Sequence, residues 1–359
     1  MLRLPPFHFV QARSLAEAAA VLAGEGALEG GPVRVVAGCT DLWPNLKRRH
    51  QKATTVVSLM GLPELSGIAA DGAPAPTLGI GLRLGATTPL AEVAAHPELV
   101  HRYPALARAV ASISSPPLRQ MGTIGGNVCV DTRCTYYNQT EEWRRAIGYC
   151  LKEAGQTCWV ATSSRRCLAH TASDSAPMLA ALGARVRLLS REGERTLPIA
   201  DLYHDDGIRY LAKRPDEIVT DLFLPAESDA AHCRAAFWKL RRRGSIDFAV
   251  LSASVAIWTD PAGEVTQARI YLGAVASAPV AATEAAQSLV GKPLTEEGLA
   301  AAARLAREVA TPFDNTDFQA QWRGVMVEKY TAAALREAAG FDPGLLAPKH
   351  PEVGVGARG

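Results

Sequence analysis

Gly122-Thr123-Ile124-Gly125-Gly126-Asn127 (GTIGGN) packs three glycines, a hydroxyl and an amide into six residues. Glycine lets backbone N–H groups approach an anion with no Cβ in the way. Thr123 and Asn127 add side-chain donors. A second loop of this kind lies upstream. Val33–Val36 is a short β-branched strand, and Ala37-Gly38-Cys39-Thr40-Asp41-Leu42 turns tightly from it into a helix. A diphosphate needs several converging donors, and two such loops could supply them from both sides. Either loop taken alone is equally well a plain turn. The literal G-x-G-x-x-G at Gly354–Gly359 has no helix and no acidic residue after it, so it lacks the context of a dinucleotide fingerprint.

Around these loops, strand and helix patterns alternate. Phe7–Val10 reads as a strand, Ser14-Leu15-Ala16-Glu17 as a capping box opening a helix to about Leu22, and Val56–Leu59 as a strand. Thr88-Pro89 reads as an N-cap followed by proline at the first helical position. Further on, Ala176–Gly183 is helical in type, while Arg185–Leu189 and Asp221–Leu224 are strand-like. The small polar stretch Pro225–His232 reads as a linker. Phe248–Thr259, the turn Asp260–Gly263 and Val265–Leu272 form a hairpin, and helical patterns follow at about 281–290, 295–309 and 318–338. The alternation favours α/β or α+β layers with a boundary near residue 228 and a Pro/Gly-rich tail over 341–359.

Composition narrows the function. The chain of 359 residues is 48% hydrophobic and 21% charged, a globular balance, and its net charge of +2 implies no nucleic-acid or membrane partner. No apolar run reaches membrane-spanning length and the N-terminus lacks a signal-peptide core, so a cytoplasmic protein is expected. Its thiols are then mostly reduced. Five of the seven cysteines nevertheless fall between Cys129 and Cys167; Cys233 reads as packing in a strand. Four thiolates suit either Zn²⁺ or an iron–sulfur cluster. The paired Cys-x₂₋₄-Cys knuckles of structural zinc are missing, and wide intervals are more natural around a [4Fe–4S] cube, each of whose irons takes one thiolate. Residues 133–167 also carry six cations (Arg133, Arg144, Arg145, Lys152, Arg165, Arg166) against Glu141, Glu142 and Glu153, which would offset an anionic centre or simply form a solvated face. Arg241-Arg242-Arg243 and Lys47-Arg48-Arg49-His50 read foremost as solvated basic edges. The histidines form no ligand-spaced group.

Five motifs in order, VVAGCTDL (35–42), GTIGGN (122–127), SDSAPMLAALGA (173–184), DEIVTDLFLP (216–225) and FWKLRRRGSIDFAVL (237–251), resemble the FAD-binding medium subunits of the molybdenum hydroxylases, the xanthine dehydrogenase and carbon monoxide dehydrogenase group. The resemblance implies an α+β protein: a two-part FAD-binding domain of the vanillyl-alcohol-oxidase type over 1–228, then a smaller carbon monoxide dehydrogenase flavoprotein-like α+β domain over 229–340. It implies that Val35, Val36, Ala37, Gly38, Cys39, Thr40, Asp41 and Leu42, with Thr123, Ile124, Gly125, Gly126 and Asn127, hold the FAD diphosphate. Asp174 would contact ribityl or ribose hydroxyls, Val219 would line the site, and Ile113 and Lys239 would approach the flavin. The usual first loop carries glycine where this chain has Cys39, which bears on how closely that loop approaches a phosphate.

Asn127 and Asp174 stand 47 positions apart, where relatives have a short turn; the extra stretch, 129–170, is an insertion. Many relatives carry a cysteine at the place of Cys129. The remaining four cysteines, with GNVCVDTRCTYYNQ (126–139), resemble the insertion of the 4-hydroxybenzoyl-CoA reductase β subunit. That resemblance implies a [4Fe–4S] cluster on Cys134, Cys150, Cys158 and Cys167, with Tyr136, Tyr137, Trp143, Tyr149 and Trp159 packed round it. It further implies a large molybdenum-cofactor partner, a small partner with [2Fe–2S] centres, a low-potential donor such as ferredoxin, and a dimer of heterotrimers. The alternative within the group is an oxidative hydroxylase of a purine or other N-heterocycle. A zinc-stapled scaffold without flavin is the reading from outside it.

Overall fold

β-Branched runs form the strands, as their pleated fit favours. The computed structural model describes residues 2–28, 31–70 and 80–344. Strands β1 (His8–Gln11), β2 (Val33–Val36) and β3 (Thr55–Ser58) make a parallel sheet in the order β1-β3-β2. Helix α1 (Leu15–Leu22) packs on it; Ser14 caps it by accepting the Glu17 N–H, and the Glu17 carboxylate takes the Arg13 N–H. Helix α2 (Leu42–Lys47) follows β2 directly.

A five-stranded antiparallel sheet forms the second part of the flavin fold. It contains β4 (Ile68–Ala70), β5 (Ile80–Gly85), β6 (Arg185–Ser190), β7 (Gly193–Pro198) and β8 (Ile218–Pro225), ordered β4-β5-β8-β6-β7. β8, at its centre, is buried nearly throughout. Against it lie α3 (Leu90–Ala95), α4 (Pro97–Arg102), α5 (Pro104–Ala111), the short α6 (Pro116–Arg119) and α7 (Ile124–Val128), and α9 (Ser175–Leu182); α8 (Glu141–Ala146) belongs to the cysteine-bearing segment. Pro89 itself, not Thr88, is the residue preceding α3, one position later than the sequence pattern suggests. α9 is buried on every side and stops at Gly183, whose φ of +74° only glycine adopts without cost.

The C-terminal part is an antiparallel sheet ordered β12-β11-β10-β9, from β9 (Arg234–Leu240), β10 (Leu251–Thr259), β11 (Val265–Gly273) and β12 (Val280–Ala281). Helices α10 (Thr283–Gln287), α11 (Glu296–Glu308) and α12 (Ala320–Ala339) follow it, and α11 and α12 bury one face in its core. The expected hairpin is present, although Phe248–Val250 precede the strand and Phe248 is exposed. Cys233 is buried just ahead of β9. Residues 354–359, with their glycine pattern, lie outside the described residues, as does most of the expected tail. Among the described residues no helix is long and apolar enough to cross a membrane.

Candidate cofactor site

The two glycine loops lie against each other. A Cβ on Gly38 would run into the Met121 carbonyl, and one on Gly122 would meet Thr40 Oγ1 at 3.2 Å. Only glycine at 38 permits this approach. Among the described residues, the backbone N–H groups of Gly38 to Leu42 have no hydrogen-bond acceptor in the protein. Cys39 holds a left-handed backbone, φ +61°. The second loop is arranged differently. The N–H groups of Ile124, Gly125 and Asn127 go to the carbonyls of Thr88, Ala86 and Thr123, and that of Gly126 to Thr123 Oγ1. Most of its main-chain donors are therefore spent holding the loop, while, among the described residues, the Thr123 N–H and the Asn127 side-chain amide have no acceptor in the protein, as with the N–H groups of the first loop.

Asn127 Oδ1 accepts from the Ser173 and Ser175 hydroxyls, which ties GTIGGN to the start of α9. Next to it, Asp174 and Lys239 form an ion pair at 2.7 Å, each side chain 4% exposed. Lys239 comes from β9 and also donates to the Ser112 carbonyl, beside Ile113. Burial pushes the Asp174 carboxyl up, and Lys239 opposes that rise. Asp174 Oδ1 is buried with no partner in the protein. An orphaned carboxylate oxygen on one element and open N–H groups on another fit a ligand bearing both hydroxyls and phosphate. Val219, Ile113 and Ile124 sit in the apolar core beneath. Val36 and Leu42 pack with Trp43 and Leu46, while Val35 packs on the α1 side of the sheet.

The inserted segment docks on the first loop and α2. Arg133, buried, pairs with Asp41 and donates to Asn45 Oδ1 at 3.0 Å; Asn45 in turn donates to Asp41 at 2.8 Å. Burial raises the Asp41 pKa and Arg133 holds it back. Tyr137 donates to the His50 carbonyl, and His50 Nε2 lies 3.1 Å from the Gln139 carbonyl. Arg144 is buried between Glu153, Glu141 and the Arg48 carbonyl. Lys47, Arg48 and Arg49 are exposed, as a solvated basic edge requires, while His50 is buried; the main chain there is also a docking ledge, because the carbonyls of His50 and Arg48 meet donors 87 and 96 positions away. Of the Arg241–Arg243 run, Arg242 and Arg243 pair with Asp317 and Asp247, and Arg241 reaches the Ser112 carbonyl.

Cys134, Cys150, Cys158 and Cys167 are buried and line one cavity, walled also by Tyr136, Tyr137, Trp159 and Val160. Trp143 is 39% exposed and does not line it, and neither does Tyr149, whose carbonyl instead accepts from the Trp159 indole. Backbone N–H groups of Tyr136 and Tyr137 point at the Cys134 sulfur, that of Lys152 at Cys150, and that of Ala169 at Cys167. Burial pushes the Cys134 thiol up to about 11 and the Cys167 thiol up to about 12. Among the described residues no three His, Cys, Asp or Glu side chains gather closely enough to hold a single metal ion. Cys129 is half-buried outside this cavity and packs against the main core.

The fold and the joined loops define a flavin-binding subunit in two parts. Residues 5–227 match the family described as the FAD binding domain in molybdopterin dehydrogenase, and residues 235–338 match the CO dehydrogenase flavoprotein C-terminal domain. The chain belongs to this family, the FAD-binding medium subunits of molybdenum hydroxylases, and it is an FAD-binding oxidoreductase subunit. It is 27% identical to the nicotinate dehydrogenase FAD-subunit of Eubacterium barkeri over 296 residues, 82% of this chain and 83% of that one. It is also 27% identical to the carbon monoxide dehydrogenase medium chain of Afipia carboxidovorans, over 92% of this chain and 98% of the relative. Carbon monoxide dehydrogenase from Hydrogenophaga pseudoflava shares the fold, with a TM-score of 0.75 over 94% of this chain and 99% of that chain at 24% identity.

Proposed function

We propose that this chain carries two redox centres, FAD and a [4Fe–4S] cluster, and serves a molybdenum-containing 4-hydroxybenzoyl-CoA reductase. The division is FAD-binding 1–228 with the cluster segment 129–170 inside it, and a C-terminal domain over 229–340. The observation that carries the reading is the cavity walled by four cysteines drawn from intervals of 16, 8 and 9 residues. Four thiols round one cavity suit a cube whose corners each take one thiolate. N–H groups aimed at three of the sulfurs suit thiolates, which accept hydrogen bonds that neutral thiols use poorly.

When bound, the flavin and cluster supply one- and two-electron chemistry, linking a low-potential donor such as ferredoxin to [2Fe–2S] centres in a small partner and to molybdenum in a large one. The chain's own residues hold and shield. The open N–H groups of 38–42 would cradle the diphosphate, Asp174 Oδ1 would accept a hydroxyl, and Tyr137, Trp159 and Val160 would keep water from the sulfurs. The reductive reaction removes the phenolic hydroxyl of 4-hydroxybenzoyl-CoA, in a dimer of heterotrimers.

The test is iron, acid-labile sulfide and flavin content of the purified complex, with its EPR spectrum. Four irons and four sulfides per flavin beyond those of the small subunit are expected. Cys150→Ser should abolish the extra cluster signal and leave flavin in place; loss of flavin with that signal intact would refute the ligand assignment. The second reading, an oxidative hydroxylase of an N-heterocycle, draws on the name of the nicotinate dehydrogenase relative. Turnover assays in both electron directions separate the two.

A further inference from the structure

We propose that Lys152 sets the reduction potential of the four-cysteine centre; the inference rests on the cluster reading above. Its side chain is 5% exposed. Nζ donates to Asp131 Oδ1 at 2.7 Å, to Thr132 Oγ1 at 2.7 Å and to the Gly207 carbonyl at 2.6 Å, so all three of its protons have acceptors. The rings of Tyr137 and Tyr210 flank it at 5.1 and 5.6 Å. The ammonium is thus fixed in place, unlike the usual mobile surface lysine.

Its location relative to the sulfurs is specific. Lys152 lines the cysteine cavity together with Cys150, two residues before it, and Cys167. Asp131, its counter-charge, does not line the cavity and is held from the other side by Gln51 at 3.0 Å. Of this pair only the cation lines the cavity; beside Cys150 the Glu153 carboxylate, paired with Arg144, opposes it. Gly207 sets this spacing. Its N–H donates to the Cys167 carbonyl at 2.9 Å while its own carbonyl takes Lys152. A Cβ there would stand 2.7 Å from Cys167 Sγ and 2.8 Å from Ala169 Cβ, so the loop comes this close only because residue 207 is glycine.

A buried ion pair is weak evidence for stability, since apolar residues of equal volume often serve as well. Its retention at a cavity of sulfur ligands calls for another role. A centre held by four thiolates gains one negative charge on reduction. A cation fixed nearby in a poorly screened interior stabilises the more negative state and raises the potential. Asp131 tempers this from the far side.

The experiment is an EPR-monitored redox titration of the extra cluster in the intact complex at pH 7, for wild type, Lys152→Met and Asp131→Asn, with iron and sulfide measured on each. Opposite displacements are expected: K152M to a more negative midpoint, D131N to a more positive one. A merely structural role moves neither in this paired way. Full iron content with midpoints that stay put, or that move in the same direction, overturns the proposal. Should K152M lose its iron or fail to fold, D131N decides alone: a positive displacement supports the proposal and any other result overturns it. Wild-type complex without the extra iron and sulfide overturns the cluster reading and this inference with it.

Discussion

Cys39 shows how one residue can carry the cost of a site. Its φ of +61° lies in the left-handed region, where a β-carbon crowds the following carbonyl by about 1–2 kcal/mol. The family's usual glycine would take that conformation freely. The thiol recovers a little through a 3.2 Å contact with the Ala37 carbonyl. The loop therefore keeps its shape despite the substitution, and the closeness of its approach is set by Gly38, not by residue 39. Cys39→Gly is expected to bind flavin normally and to stabilise the chain by about 1 kcal/mol, set by the same steric relief. Denaturant unfolding of the two proteins measures this; a C39G midpoint at or below wild type sinks the strain account.

At the scale of elements, the inserted segment is not a free loop but a docked one, and histidines guard its seams. His50, following α2, lies within reach of the Gln139 carbonyl, and His170 closes the segment against Arg133 through paired main-chain bonds. Burial lowers both to about 4. The unfolded chain, with histidine near its ordinary 6.5, then binds more protons than the folded chain between about 4 and 6.5. Their contribution is present above that range and is lost as pH falls through it. The stability advantage of wild type over His50→Gln should accordingly be larger at pH 7 than at pH 5, by urea unfolding at each pH. An advantage that is equal at the two values, or grows toward pH 5, contradicts the docking role of a neutral His50.

For the whole molecule, polar contacts from the C-terminal part reach both the candidate flavin site and the four-cysteine segment. Lys239 of β9 meets Asp174 at the head of α9. Asn315 takes the Thr135 N–H on its carbonyl and donates its amide to the Leu168 carbonyl, so it holds the residues just after Cys134 and Cys167. Arg323, buried without a carboxylate partner, donates to Asn315 and to the Val250, Phe313 and Ala274 carbonyls, and burial lowers it to about 10. Removing one member of a buried pair costs about 3–5 kcal/mol because the other charge is left uncompensated. Lys239→Met should therefore destabilise the chain by that order and empty the flavin site, read by unfolding and by flavin-to-protein ratio; full flavin occupancy at wild-type stability would show that the pair does not matter. None of these partners was legible from local pattern, since Arg133–Asp41, Tyr137–His50, Asn315–Leu168 and Lys239–Asp174 lie 65 to 147 positions apart and have no period. Strands β1, β2, β3, β6, β8, β10 and β11, most of the longer helices, the two glycine loops and the set of four cysteines were legible, because side-chain alternation, capping, backbone freedom at glycine and thiol chemistry are local properties of the residues; β4, β5, β7, β9 and β12 were not. The sequence by itself determined which groups could bind flavin and which four cysteines form a set. Only the tertiary structure decided that the loops touch, and that four distant thiols share one wall with a lysine, because proximity between remote residues is a product of packing and not of their order in the chain.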